Sequence, residues 1–270
     1  MPRVTVNKVA LHVEVVGEGT PILGLHGTPS SAVMWADAAT ELGRHGRCIT
    51  FDRRGFLRSR LADAALPVDL ADHVGDAFAL LEALDAVPAI VIGRSTGGLI
   101  ALELALRAPG CVRALVLLEP AVFTLDEASR AWAEDLRSRV LDAEAQDPST
   151  VAEVIIRDAL GDATWDGLPT ELRESFAGTN DGTRAELHGE GLDLSARPRV
   201  YSESELKALA MPILVVAATD SPEPLRRTAA RLVDLLPTSV AHHVPGGHLI
   251  NPADAGVMAF IDRHLASTDG

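Results

Sequence analysis

The chain has 270 residues, the length of one large domain or of a domain with an insertion, and 47% of them are hydrophobic, enough for a substantial core. Its 24 Lys and Arg against 38 Asp and Glu give a formal net charge of −14, which argues against nucleic acid or an anionic membrane as a partner. No apolar run reaches the length of a membrane span, and Met1-Pro2-Arg3-Val4 leads directly into a strand pattern, so neither a spanning segment nor a signal peptide is expected.

In chain order, Val4 to Val6 and Ala10 to Val16 read as two strands joined by a turn at Asn7-Lys8. Pro21 to Leu25 is a short strand ending at His26-Gly27, and Ser31 to Leu42 reads as helix. Arg47 to Phe51 is a strand ending in Asp52-Arg53-Arg54-Gly55, and Asp69 to Leu84 is an amphipathic helix. A strand at Ala89 to Ile92 runs into a Gly-rich turn and then a helix over Leu99 to Leu106, and a further strand covers Val112 to Leu118. From Ala121 to Leu209 the pattern becomes helix after helix with polar faces. Thr124 with Glu127, and Thr150 with Glu153, have the spacing of capping boxes. The strand pattern returns at Pro212 to Ala218. A helix over Pro224 to Leu236, a strand over Ser239 to Val244 and a helix over Ala253 to Leu265 complete the chain.

This order predicts an α/β fold with a mostly parallel, doubly wound sheet covered on both faces. Residues 1–120 and 210–270 form its core. Residues 121–209 are too long for a loop and are expected to form a helical cap or lid.

Five residues of the Gly-rich turn carry the most chemical information. Gly93-Arg94-Ser95-Thr96-Gly97 is a G-x-S-x-G on a strand-to-helix turn, the context of a nucleophile elbow. There a serine sits in a strained conformation between close-packed strand and helix, so its neighbours must lack Cβ atoms. The Thr96 N–H lies at a helix N-terminus, where developing negative charge is favoured. The turn His26-Gly27-Thr28-Pro29 also ends a strand, so it faces the elbow and offers the Thr28 N–H as a second oxyanion donor.

The serine needs a base. Of nine histidines, His248 has the best context, in Pro245-Gly246-Gly247-His248 between the last strand and the last helix. His242 and His243 are neighbours in a strand and point to opposite faces, one toward core and one toward solvent, so they form no metal pair. His12, His45, His73, His188 and His264 read as surface or strand positions, and no metal or other cofactor is expected. The base in turn needs a carboxylate. Glu119 and Asp220 both end strands at the same sheet edge, and either gives the chain order Ser, acid, His. Asp52, with Arg53 and Arg54, reads as a structural network under the elbow. Cys48 and Cys111 fit free buried thiols in a reducing cytoplasm.

These residues together resemble the α/β-hydrolase superfamily over nearly the full chain. The resemblance rests on His26-Gly27-Thr28, Asp52-Arg53-Arg54-Gly55 with Ser59, the elbow Gly93 to Gly98, and Gly247-His248. It implies a nucleophile at Ser95, a base at His248 and oxyanion N–H groups at Thr28 and Thr96. Most members carry the acid after the penultimate strand, where this chain has Asp220 in a turn without glycine. A smaller set, including the zearalenone-lactone hydrolases, places it after the preceding core strand, where Glu119-Pro120 stands. Glu119 is the favoured acid and Asp220 the alternative. The expected activity is hydrolysis of a small-molecule ester or lactone. Trp132, Trp165 and Phe176 are the expected bulky contacts from the cap. Cofactor-free perhydrolase or haloperoxidase-like chemistry, acyl transfer, and ligand reception without turnover are the alternatives on the same fold.

Overall fold

A computed structural model describes residues 3–63 and 66–265; Met1 and Pro2, which belong to the reading of the N-terminus, lie outside the described residues. Eight strands form one sheet: β1 (Arg3–Val6), β2 (Val9–Val16), β3 (Pro21–Leu25), β4 (Arg47–Phe51), β5 (Ala89–Arg94), β6 (Val112–Leu118), β7 (Ile213–Ala218) and β8 (Ser239–Val244). Their spatial order is β1-β2-β4-β3-β5-β6-β7-β8. The β1–β2 and β2–β4 pairs are antiparallel, and all other neighbours are parallel. The α-helices are α1 (Ala36–Leu42), α2 (Leu70–Ala83), α3 (Thr96–Arg107), α4 (Glu127–Gln146), α5 (Val151–Leu160), α6 (Asp162–Gly167), α7 (Thr170–Ala177), α8 (Asn180–Leu187), α9 (Glu203–Lys207), α10 (Glu223–Leu235) and α11 (Ala255–His264).

The central strands β5, β6 and β7 are apolar at nearly every position, Arg94 and Arg113 excepted, because both sheet faces are covered. Along β6, Leu115 and Leu117 enter the core under α2, α3 and α10, while Ala114, Val116 and Leu118 enter the core under α1 and α11. The same alternation holds along β5 and β7. The sheet is therefore doubly wound, and its parallel strands end along one edge. Ser95, Glu119 and His248 all follow strand ends at that edge.

Between β6 and β7 the chain runs through α4 to α9, six helices without a strand. Here two helix starts differ from the sequence expectation. The cap of α4 is Asp126, which accepts the Ser129 N–H at 2.9 Å, while the Thr124 hydroxyl donates to the Arg199 carbonyl. Asp126 adjoins the first turn and offers a charged acceptor, so Thr124 is released. Thr150 does precede α5, but its hydroxyl turns back to the Asp147 carbonyl, because a 3₁₀ turn at Pro148–Thr150 feeds directly into the helix. A complete capping box forms instead at Ser202 and Glu205, ahead of α9.

Two histidine positions also differ from expectation. His73 is buried on α2, on its inner face, instead of lying at the surface or in a strand. Of the pair His242 and His243, the one expected in the core does not reach it, because β8 is an edge strand. His242 is half-buried and pairs with Asp254 at 2.7 Å, while His243 is exposed.

Candidate active site

The elbow between β5 and α3 is as tight as its glycines require. A Cβ on Gly93 would lie 2.2 Å from the Gly97 carbonyl oxygen, and one on Gly97 would lie 2.2 Å from the Leu25 oxygen. Any side chain at either position would push strand and helix apart. Between them Ser95 takes φ 55° and ψ −123°, a backbone state that is costly for a residue with a side chain. Surrounding bonds hold it there. The Ser95 N–H donates to the Leu118 carbonyl at 3.0 Å, and the Ser95 carbonyl accepts from Gly98, Leu99 and Ala121.

Ser95 lines a cavity of about 60 Å³ with Thr28 and His248. His248 is buried, and its Nδ1 lies 2.7 Å from Oε2 of Glu119, itself fully buried. That contact leaves Nε2 as the basic nitrogen of a neutral ring. Glu119 follows β6 at φ 42°, with its own N–H bonded to the Val216 carbonyl. Its Oε1 accepts the Ala218 N–H and its Oε2 accepts the Ser221 hydroxyl, both at 2.8 Å. Two donors besides the histidine therefore hold the carboxylate, and both come from β7 and the turn after it. Asp220 lies in that same turn but is exposed, and its carboxylate accepts only the neighbouring Thr219 hydroxyl at 3.2 Å among the described residues. Its N–H donates to the Gly246 carbonyl, so Asp220 serves the turn that carries Ser221.

Two threonines adjoin Ser95: Thr96 follows it in the chain, and Thr28 shares its cavity. Thr96 is the first residue of α3, and Thr28 follows β3. Among the described residues no carbonyl accepts from either backbone N–H. The Thr28 loop is fixed from beneath. His26 is buried, and its Nδ1–H donates to the Gly27 carbonyl at 2.8 Å while Nε2 accepts the Arg53 N–H at 3.0 Å. Burial and the adjacent Arg53 guanidinium hold His26 well below its ordinary pKa, so it stays neutral. Arg53 also reaches the Gly27 carbonyl and the Thr28 hydroxyl, and it forms a buried ion pair with Glu186 of α8. Asp52 has a separate task. It accepts the Ala32 N–H at 2.8 Å and the Arg58 Nε at 2.6 Å, tying the chain after the Thr28 loop to the turn after β4.

The cavity roof is apolar and comes from the inserted helices. Trp132, Leu136, Ile156 and Phe176 line it. Trp165, expected beside them, is absent from the lining: it packs behind Phe176, ring centroids 6.2 Å apart, and covers the outer side of the small core of the insertion. Short α6 places it there, with Arg157 over its outer face at 5.9 Å. The sequence reading missed Glu186, Ser221 and Asp193. Asp193 lines the cavity, and burial, reinforced by the nearby Glu186 charge, pushes its carboxyl up to about 7. Among the described residues no group of three or more His, Cys, Asp or Glu side chains is placed to hold a metal ion, and no helix is long and apolar enough to cross a membrane.

Comparison with known proteins gives one consistent answer. A family model described as alpha/beta hydrolase fold matches residues 20–254. A putative carbamate hydrolase, RutD of Variovorax paradoxus, is 31% identical over 259 residues, covering 92% of each chain. A putative non-heme bromoperoxidase, BpoC of Mycobacterium tuberculosis, is 28% identical over 260 residues, covering 92% of this chain and 90% of that one, while an uncharacterized hydrolase of Bacillus subtilis is 35% identical over less than half of either chain. Among solved structures, a thermophilic esterase from Thermogutta terrifontis superposes with a TM-score of 0.74 at 22% identity, covering 97% of this chain and 98% of that one. The enol-lactonase from Burkholderia xenovorans does so with 0.72 at 21%, covering 97% and 98%. The chain belongs to the α/β-hydrolase family of enzymes.

Proposed function

We propose that this chain is a serine hydrolase that cleaves a small-molecule carboxylic ester or lactone through an acyl-enzyme on Ser95. The observation that carries this reading is the strained Ser95 in one cavity with a histidine whose Nδ1 is held by a buried carboxylate. In this reading the Ser95 hydroxyl attacks the carbonyl carbon, and His248 Nε2 takes its proton. The Thr28 and Thr96 N–H groups receive the negative charge that gathers on the carbonyl oxygen, where one such donor is worth roughly 10²–10³ in rate. Collapse expels the alcohol with the proton from His248, and in a lactone that alcohol stays attached to the acyl group. A water molecule then gives its proton to His248 and attacks the acyl carbon; the bond to Ser95 Oγ breaks, His248 returns the proton to Oγ, and the acid is released.

Glu119 is the acid in this scheme, because its carboxylate fixes the His248 tautomer and stabilises the imidazolium that forms. Residues 121–209 act as the cap, with Trp132 and Phe176 as apolar walls against the substrate. The ester or lactone class draws support from the esterase and enol-lactonase among the structural neighbours.

The test is a panel of p-nitrophenyl esters of varied chain length beside a panel of lactones, run with wild type and Ser95→Ala. Wild type should turn over at least one class, and Ser95→Ala should lose about 10⁵-fold or more in kcat with an unchanged melting temperature. A folded Ser95→Ala enzyme with more than about a tenth of wild-type activity removes Ser95 as nucleophile.

A further inference from the structure

Below Thr28, an ion pair links the inserted helices to the oxyanion loop. Glu186 lies on α8, and Arg53 on the turn after β4. Both are buried, as is His73, whose Nε2 lies 2.6 Å from Glu186 Oε1. The other carboxylate oxygen, Oε2, accepts the Thr28 hydroxyl at 2.6 Å. Arg53 NH1 donates to Glu186, and Arg53 NH2 donates to the Thr28 hydroxyl oxygen at 2.6 Å and to the Gly27 carbonyl at 3.1 Å.

Two consequences follow from peptide geometry. The Gly27 C=O and the Thr28 N–H belong to one planar unit and point in opposite directions. Two donors on that carbonyl, His26 Nδ1–H and Arg53 NH2, therefore set where the Thr28 N–H points. The Thr28 hydroxyl both donates and accepts within the same cluster, so its side chain is held as well. Glu186 is the group on which these contacts converge. It stays ionised, since burial pushes its pKa up but Arg53, His73 and the Thr28 hydroxyl together hold it below the ordinary carboxylate range. His73 is held below its usual value by burial and by Arg53, so it donates Nε2–H as a neutral ring.

We propose that Glu186 is a positioning residue for the oxyanion hole: from the inserted helices it anchors Arg53 and Thr28, and so aims the Thr28 N–H at the reacting oxygen. The insertion then completes the catalytic site in addition to roofing it. This rests on the serine-hydrolase reading, with Thr28 as an oxyanion donor.

The experiment measures how fast a fluorophosphonate labels Ser95 in the full chain, a reaction that needs no knowledge of the substrate. Ser95 Oγ forms a bond to phosphorus, fluoride leaves, and the serine proton passes to His248; the oxyanion donors stabilise the phosphoryl oxygen. Glu186→Gln keeps the shape and removes the charge. It should slow labelling about 10- to 100-fold without moving the pH at which labelling is half-maximal, because the His248–Glu119 pair is untouched. Thr28→Val should slow it comparably, Thr28→Ser should stay within about threefold of wild type, and the double variant with Glu186→Gln and Thr28→Val should be no slower than the worse single one. Labelling of Glu186→Gln at the wild-type rate, a shifted half-maximal pH, or effects that multiply in the double variant would overturn the proposal. If Glu186→Gln does not fold, Thr28→Val decides alone, since it leaves the ion pair in place: a folded protein labelled slowly supports the proposal, and a wild-type rate overturns it. Failure of wild type itself to label at Ser95 would overturn the hydrolase reading instead.

Discussion

The two sides of Ser95 are built differently. On the histidine side every part comes from the sheet edge: Glu119 after β6, Ser221 after β7 and His248 after β8. On the threonine side the loop after β3 is held by Arg53 from the turn after β4 and by Glu186 from the inserted helices. The first side is bonded within the sheet's own connections, where parallel strands deliver side chains to one edge. The second depends on how the insertion docks. In our proposal the sheet edge supplies the acid–base apparatus, while the insertion sets the pocket and the precision of the oxyanion hole.

The largest expected effect tests the histidine side. Glu119→Gln removes the negative charge beside His248 Nδ1 and allows the wrong tautomer, so kcat should fall by about 10³–10⁴-fold. Asp220→Asn, in the neighbouring turn, should stay within about threefold of wild type. The reverse ranking, measured as kcat on one ester, would break the comparison by moving the acid to the turn.

A smaller effect sharpens the cap side. The carboxyl of Asp193 is raised to about 7 in the folded protein, from an ordinary value of 3.8. Between those values the unfolded chain has lost the proton that the folded chain keeps, so stability falls as pH rises through that window and levels off above it. Asp193→Asn removes this penalty. Its melting temperature should exceed that of wild type at pH about 8 and match it at pH about 4. A gain that is equal at both values would mean that Asp193 ionises as an ordinary carboxyl.

The smallest effect concerns the aromatic residues of the insertion. Trp165 packs behind Phe176 and away from the cavity, whereas Trp132 lines it. Trp165→Phe should lower the melting temperature by a few degrees and leave KM within about twofold, while Trp132→Ala should raise KM several-fold or more. Equal effects of the two on KM would erase the distinction between wall and core.

The same contrast governs what could be read from the sequence. Strands buried on both faces are nearly continuous apolar runs ended by Gly, Pro or a charge, so Pro21–Leu25 and Arg47–Phe51 were legible to the residue, and the edge strand Ser239–Val244 was legible from the turn residues on either side of it. Ser95 and His248 announce themselves through local glycines. In the insertion the signals compete. Thr124 and Asp126 both offer a cap acceptor within two residues, and only the fold settles which is used. Glu186 looks like a solvent-facing residue of a polar helix. Its partner Arg53 is 133 positions away, and nothing in either local pattern links them. Trp165 and Trp132 read alike, because helical spacing places a side chain on a face without saying what the face meets. Asp193 lies in a stretch without periodicity, and its raised carboxyl follows from burial and from the Glu186 charge, which only the folded chain brings near it.

The central claim, a covalent acyl-enzyme on Ser95, is most directly tested by trapping it. Wild type is mixed with a p-nitrophenyl ester that it hydrolyses, quenched in acid within the first turnovers, digested and weighed by mass spectrometry. The account predicts the acyl mass on the peptide that carries Ser95, and its absence when Ser95→Ala is introduced. An acyl mass on another residue, or undiminished hydrolysis by the Ser95→Ala protein, would contradict it.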